Sequence, residues 1–312
     1  MIHSSTQIAE KNLKLLMPNT NKALALALKS ASPAQLQTLT QVKDLSTLLS
    51  SILKQNSTTN EEQNNILLSL LKNNPTLKSL ANATPDIKAL LQLLKQNKQA
   101  PQLQKTLQNM LTDVKDINPK ELHSKLKMTG ILLENQLKKN DNPKELLSND
   151  LKALLSKTHD ELSNRLNSAK SQEILKHIDK LNLIIDYSQL VSHLSNAASF
   201  YLPYSWDVLK EGEINIKQMK NKTSLCDIHL ELQEYGAIDL RLALFEKNQL
   251  TMNITTESQT LKTLILDNMH ILKKQLSNAA IIPKEIRFVE GKKTMYDAMV
   301  YDNLAMGFEV KA

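Results

Sequence analysis

The stretch Cys226-Asp227-Ile228-His229-Leu230-Glu231-Leu232-Gln233-Glu234-Tyr235-Gly236-Ala237-Ile238-Asp239-Leu240-Arg241-Leu242-Ala243-Leu244 decides the fold. From Cys226 to Leu232 the apolar residues take the even positions, with Asp227, His229 and Glu231 between them. A side-chain period of two is that of a half-buried strand. Tyr235-Gly236 interrupts the run, and Ile238, Leu240, Leu242 and Leu244 then resume the even spacing. The pattern predicts a β-hairpin with one aliphatic face and one polar face, the latter carrying Asp227, His229, Glu231, Asp239 and Arg241. Pairing of Asp239 and Arg241 with Glu231 and His229 across that polar face is expected.

On the C-terminal side, Lys247-Asn248-Gln249 reads as a second turn, after which Leu250, Met252 and Ile254 alternate with Thr251, Asn253 and Thr255. Three strands then share one apolar face. From Glu257 the period lengthens, and Leu261, Leu264, Ile265, Asn268, Leu272 and Leu276 mark one side of a helix running to about Ala279. Thr255 or Thr256 is placed to cap it, with Glu257 favourable at the positive end of its dipole. Pro283 ends helical structure, and Ile286 to Phe288 reads as a last strand. Ile214 to Met219 is a weaker strand ahead of the hairpin. The expected module is α+β, an antiparallel sheet covered by one long helix.

This order of elements resembles the C-terminal domain of bacterial flagellar hook-length control proteins. The resemblance rests on Leu230 to Leu242, on Gln249-Leu250-Thr251-Met252-Asn253-Ile254, and on the helix bearing Leu264, Leu272 and Leu276. Tyr235-Gly236 stands where that family often has Leu-Gly. Upstream, Thr129-Gly130-Ile131-Leu132-Leu133-Glu134, with Leu137 and then Asp150-Leu151-Lys152-Ala153-Leu154-Leu155, is similar to a second pattern of the same proteins. That pattern has the form Ser-Gly-x-x-x-Glu followed by Asp-Leu-Lys-x-x-Leu-Leu. Gly130 is the only glycine among the first 200 residues, and close helix packing or a helix break accounts for it as well as a specific role does.

The first 200 residues read as a mostly α-helical, loosely packed region. Ser32-Pro33, Asn74-Pro75, Thr84-Pro85, Asn118-Pro119 and Asn142-Pro143 each place a capping side chain before a proline at the first helical position. Leucine stripes such as Ile87, Leu90, Leu91 and Leu94 follow them. With no aromatic residue before Tyr187, shallow leucine cores that open readily are expected. A linker is expected over 55–61, and a helix from Ser171 to Phe200. The domain division is then 1–200, helical, 201–290, the α+β module, and a tail, 291–312. Tyr201, Tyr204 and Trp206 cluster at the boundary, where packing accounts for Trp206 better than a partner anchor does.

Charge is uneven. The first 200 residues carry 25 Lys+Arg against 17 Asp+Glu, and the remainder 14 against 15. Nucleic-acid binding does not follow, because Arg165 is the only arginine in the first part, aromatic stacking residues are lacking and the lysines are spread along helix faces. The seven histidines lie at no zinc-ligand spacing, five glycines allow no phosphate loop, and the lone Cys226 sits on an apolar strand face. No enzyme, cofactor or metal is expected. No apolar stretch reaches membrane-spanning length, and the opening Met1-Ile2-His3-Ser4-Ser5 lacks the pattern of a cleavable secretory signal. A soluble, cytoplasmic protein is the expectation.

The resemblance implies more. It implies a non-enzymatic protein exported by the flagellar type III apparatus, whose N-terminal part reports on hook length. Its C-terminal domain would contact the cytoplasmic domain of the export-gate switch protein and change export from hook to filament components. Candidate contact residues are Asp227, His229, Glu231, Tyr235, Gly236, Asp239 and Arg241 on the hairpin, or Lys262, Lys273 and Lys274 on the exposed side of the helix. A helical scaffold or chaperone-like adaptor sharing only the fold is the other class open to the sequence.

Overall fold

The computed structural model describes residues 21–32, 35, 38–39, 61–78, 83–111, 113, 116, 119–139, 143–164, 169–195, 197–201, 206–219 and 223–289. Of the linker expected over 55–61, residues 55–60 lie outside the described residues and Glu61 opens a helix; the tail 291–312 also lies outside them. The chain divides into two units. One gathers the residues up to Leu194 with Ala198–Asp207 and Glu211–Glu213; the other takes Ser195–Ala197, Val208–Lys210 and the chain from Ile214.

The helical unit contains α1 (Lys22–Lys29), α2 (Glu61–Asn73), α3 (Pro75–Lys78), α4 (Thr84–Gln96) and α5 (Pro101–Met110). It continues with α6 (Pro119–Met128), α7 (Leu133–Lys139), α8 (Pro143–Asn149), α9 (Leu151–Ser163) and α10 (Ala169–Ser195). The proline starts behave largely as their chemistry dictates. Ser32 and Gln35 bond reciprocally, each backbone N–H to the other's side chain, which is a capping box. Asn74 Oδ1 accepts from the amides of Thr76 and Leu77, while its Nδ2 donates to Leu26 O. Thr84 is itself the first helical residue and not the cap, which is Ala83.

Leucines spaced by three and four put one stripe per helix inward. Because many helices contribute, the stripes close into one core in which Leu24, Leu71, Leu90, Leu94, Leu107, Leu155, Ile178, Leu181 and Ile185 are fully buried. The core is therefore deeper than the shallow one expected, since leucine fills a helical interface without aromatic help when four or more helices share it.

The long helix expected over Ser171 to Phe200 stops at Ser195, and Ala198–Tyr201 is a strand, β1. Ser192 Oγ accepts from the Ser199 amide at 2.8 Å, which ties the turn back onto the helix end. Tyr201 is buried in the helical unit, its hydroxyl donating to Thr129 O at 3.1 Å. Its ring joins the helical core, although the expected division began the α+β module at residue 201.

The remaining strands are β2 (Leu209–Gln218), β3 (Ser224–Leu232), β4 (Gly236–Phe245), β5 (Gln249–Thr256) and β6 (Ile282–Phe288), and the sheet order follows the chain. β3/β4 and β4/β5 are antiparallel and β5/β6 is parallel. The parallel pair requires a crossover, and α11 (Gln259–Asp267) with α12 (Met269–Asn278) supplies it. Ile228 faces Leu240, Cys226 faces Leu242 and Leu240 faces Ile254, so the expected aliphatic face forms in register. Its centre lies on β5, where Leu250, Met252 and Ile254 are buried.

The covering element is two helices, broken at Asn268, and not the one long helix expected. Asn268 Nδ2 donates to Leu264 O at 2.8 Å, a local side-chain bond of the kind that competes with continued helix. The cap is Ser258, whose Oγ accepts from the Leu261 amide, with Thr256 behind it accepting from the Ser258 amide. Leu261 is buried and Ile265, Leu272 and Leu276 half-buried; Leu264 and Asn268, assigned to the same face by spacing, are exposed. At the other end Ala280, with φ +57°, closes α12 as Ile281 N–H reaches Leu276 O and Ala280 N–H reaches Ser277 O.

Candidate partner-binding surface

The hairpin builds its polar face from a three-residue loop, Gln233 to Tyr235, closed by the Leu232/Gly236 pair. Gly236 has φ +72° and open space where a Cβ would stand. It is required for backbone conformation, since the chain enters β4 through a left-handed residue. Everything beyond the loop then falls into register. Asp227 lies opposite Arg241 and His229 opposite Asp239.

Arg241 Nε donates to Asp227 Oδ1 at 2.9 Å, and His229 Nδ1 lies 2.7 Å from Asp239 Oδ1. Asp239 thus meets His229 as expected, while Arg241 meets Asp227, where Glu231 was one of the expected partners. Glu231 lies opposite Ala237, two pairs away. Asp227 is only 3 % exposed. A carboxylate so buried is held by its ion pair and is withdrawn from any approaching surface. His229 and Asp239 are largely buried too. The polar face is a set of mutually satisfied cross-strand pairs. Tyr235 and Gly236 stand at its tip, half-buried.

Cys226 lies half-buried on the opposite face, and burial, helped by the Asp227 charge, pushes its thiol up to about 11. It is therefore protonated and unreactive at neutral pH. Among the described residues no group of three His, Cys, Asp or Glu side chains is placed to hold a metal ion.

The lysines of the crossover separate. Lys262 Nζ sits 5.6 Å from the centre of the Phe288 ring, a cation–π distance. Lys273 and Lys274 point out from α12. Beside them the structure places residues that sequence reasoning missed: Leu264, Leu266 and Ile271 are 46 %, 51 % and 46 % exposed. Leu264 had been assigned to the buried stripe, and Leu266 and Ile271 lay off it. Two short helices, each with an inward side and an outward apolar side, carry more leucine and isoleucine than one sheet face can cover. That surplus was the available signal.

Among the described residues no helix is long and apolar enough to cross a membrane. No curated protein and no solved structure matches the chain. A family model does match, over residues 212–296, from within β2 to beyond β6, and its description is flagellar hook-length control protein FliK. Across that span, with the strand, hairpin and crossover order described above, the chain carries a domain of the flagellar hook-length control protein FliK family.

Proposed function

We propose that the whole chain acts as a flagellar hook-length control protein. It is made in the cytoplasm, exported by the flagellar type III apparatus, and switches export from hook to filament components through its C-terminal domain. The family match over residues 212–296 carries this reading. The absence of any catalytic constellation in the sequence agrees with a regulator that works by contact. Its partners are the cytoplasmic domain of the export-gate switch protein and the hook components.

Between the two candidate contact surfaces, the outward side of α11 and α12 is favoured. Asp227 and Arg241 are committed to each other and Asp227 is buried, whereas Lys273 and Lys274 are exposed beside Leu264, Leu266 and Ile271. Interfaces draw on apolar anchors with charged neighbours at the rim. The test is an in-frame deletion of residues 201–312, scored by electron microscopy. Hooks of uncontrolled length with few filaments are expected, and normal hooks and filaments overturn the assignment. Combined charge reversal at Lys273 and Lys274 with Leu266→Asp reproduces the deletion if this side is the contact, and leaves hooks normal if it is not.

A further inference from the structure

Three segments apart in sequence meet around Gly130. Its φ is +87°, and a Cβ there would stand 2.7 Å from Lys152 Cβ and 2.9 Å from Lys152 N, so only glycine lets the α6–α7 turn seat against the first turn of α9. Lys152 Nζ donates to Glu134 Oε1 at 2.5 Å and to Gln189 Oε1 at 2.7 Å. Gln189 Nε2 donates to Glu134 Oε2 at 2.6 Å and to the carbonyls of Gly130 and Ile131. The residues of the upstream sequence pattern, Gly130, Glu134, Asp150 and Lys152, thus converge in one buried polar knot.

Lys152 is the one buried ammonium among the described side chains of the knot. Lys152 is set among three carboxylates, those of Glu134 on α7, Asp150 before α9 and Asp186 on α10. Asp150 is 1 % exposed. Its Oδ1 caps α9 by accepting from the Ala153 amide at 3.2 Å, and its Oδ2 has no hydrogen-bond partner. From α10 His193 also faces Glu134 and Lys152, with Lys138 of α7 nearby; from β1 the buried Tyr201 hydroxyl faces Asp150; from α1 the Lys22 amide donates to Asp186 Oδ2 and the Lys22 charge favours that carboxylate. Burying a charge that is incompletely paired favours its neutral form.

We propose that the knot is a proton-linked latch of the helical unit: below neutral pH Asp150 is buried as the neutral acid, so closing the unit there takes up a proton. Burial, with the Glu134 charge adding to it, pushes the Asp150 carboxyl up to about 7 against the opposing Ala153 amide and Lys152. In the opened chain the same carboxyl titrates near its ordinary value of about 3.9. Between those two values the folded unit holds a proton that the opened chain lacks. Stability therefore falls as pH rises through that window and is level above it. Asp186, pushed up by burial, acts in the same direction, and His193, pushed down by burial, acts against it. The latch stands whether or not the chain is exported.

The test is Asp150→Asn in the full chain, since asparagine caps a helix as well as aspartate does and carries no charge. Melting of the helical signal should rise by about 5 °C or more at pH 7.5 and change little at pH 4.5. An equal shift at both pH values, or a loss at both, overturns the latch. If the variant does not fold, a carbon-13 titration of the Asp150 carboxyl in the native chain decides. A midpoint near neutrality supports the latch, and one in the ordinary carboxylate range overturns it.

Discussion

The helical unit and the sheet unit solve burial in opposite ways. Among the described residues, the helical unit buries four ionisable side chains of Asp and Lys, Asp86, Lys125, Asp150 and Lys152, while the sheet unit buries only Asp227. Conversely, among the described residues, every exposed large hydrophobic residue, from Val208 and Ile216 through Leu264, Leu266 and Ile271 to Ile282 and Val289, belongs to the sheet unit. Ten described helices give each leucine stripe a neighbour, so apolar surface is used up and polar groups are caught inside. A single sheet with one crossover has too few layers for its aliphatic residues, and some remain outside. The first unit is closed on itself; the second has surface to offer.

The comparison breaks most visibly at Gly130. Gly130→Ala adds a Cβ against the Lys152 backbone and forces a left-handed φ on a residue that resists it. Together these cost about 3 kcal/mol. Hydrogen exchange should quicken throughout α6 to α10 and stay slow in β3, β4 and β5. Equal quickening in both regions would show one cooperative fold where two units are described. The same exchange map on the native chain compares the units directly, and slower exchange in the helices than in the sheet would remove the expectation that the helical region opens first.

A smaller effect is expected at the one buried charge of the sheet. Asp227→Ala removes the buried carboxylate that Arg241 Nε bonds, but the arginine side chain is 31 % exposed and can turn to water, so the cost is about 1–2 kcal/mol. Asp239→Ala, at the more exposed pair with His229, should cost less than about 1 kcal/mol. Urea denaturation of the two variants ranks them, and the reverse order would mean that the polar face is assigned the wrong way round.

The least effect sharpens the contrast. Leu266→Ser removes an apolar side chain that is 51 % exposed, and the midpoint of unfolding should stay within about 0.5 kcal/mol of the native chain. A loss of 2 kcal/mol or more would place Leu266 in a core, and the offered surface would shrink accordingly.

Much of the sheet unit was legible because a strand's period of two is local. Alternation from Cys226 to Leu244 predicted the hairpin and the face on which Cys226 lies, though not which polar residues stand opposite each other, and Gly236 marked the turn by its conformational freedom alone. Helix starts were legible for the same reason, as capping acts within four residues. Leu264 was misassigned because a helix wheel assumes an unbroken helix, and the break at Asn268 comes from a side-chain bond that competes with a pattern otherwise intact. Among the proposed contact residues, sequence placed Asp227, His229, Asp239 and Arg241 together, but burial of Asp227 has no local signature.

By itself, then, the sequence determined the order of elements from β2 onward, the aliphatic face of the sheet, the helical character of the described residues up to Ser195 and the resemblance that the family match bears out over residues 212–296. Those properties rest on spacing and on neighbours in the chain. Only the tertiary structure decided that β6 runs parallel to β5, that Tyr201 belongs to the helices, and that Gly130, Glu134, Asp150, Lys152 and Gln189 form one knot. Each of these depends on groups many residues apart being desolvated together, and the free energy of that desolvation is set by what surrounds a side chain in space, which no local pattern records.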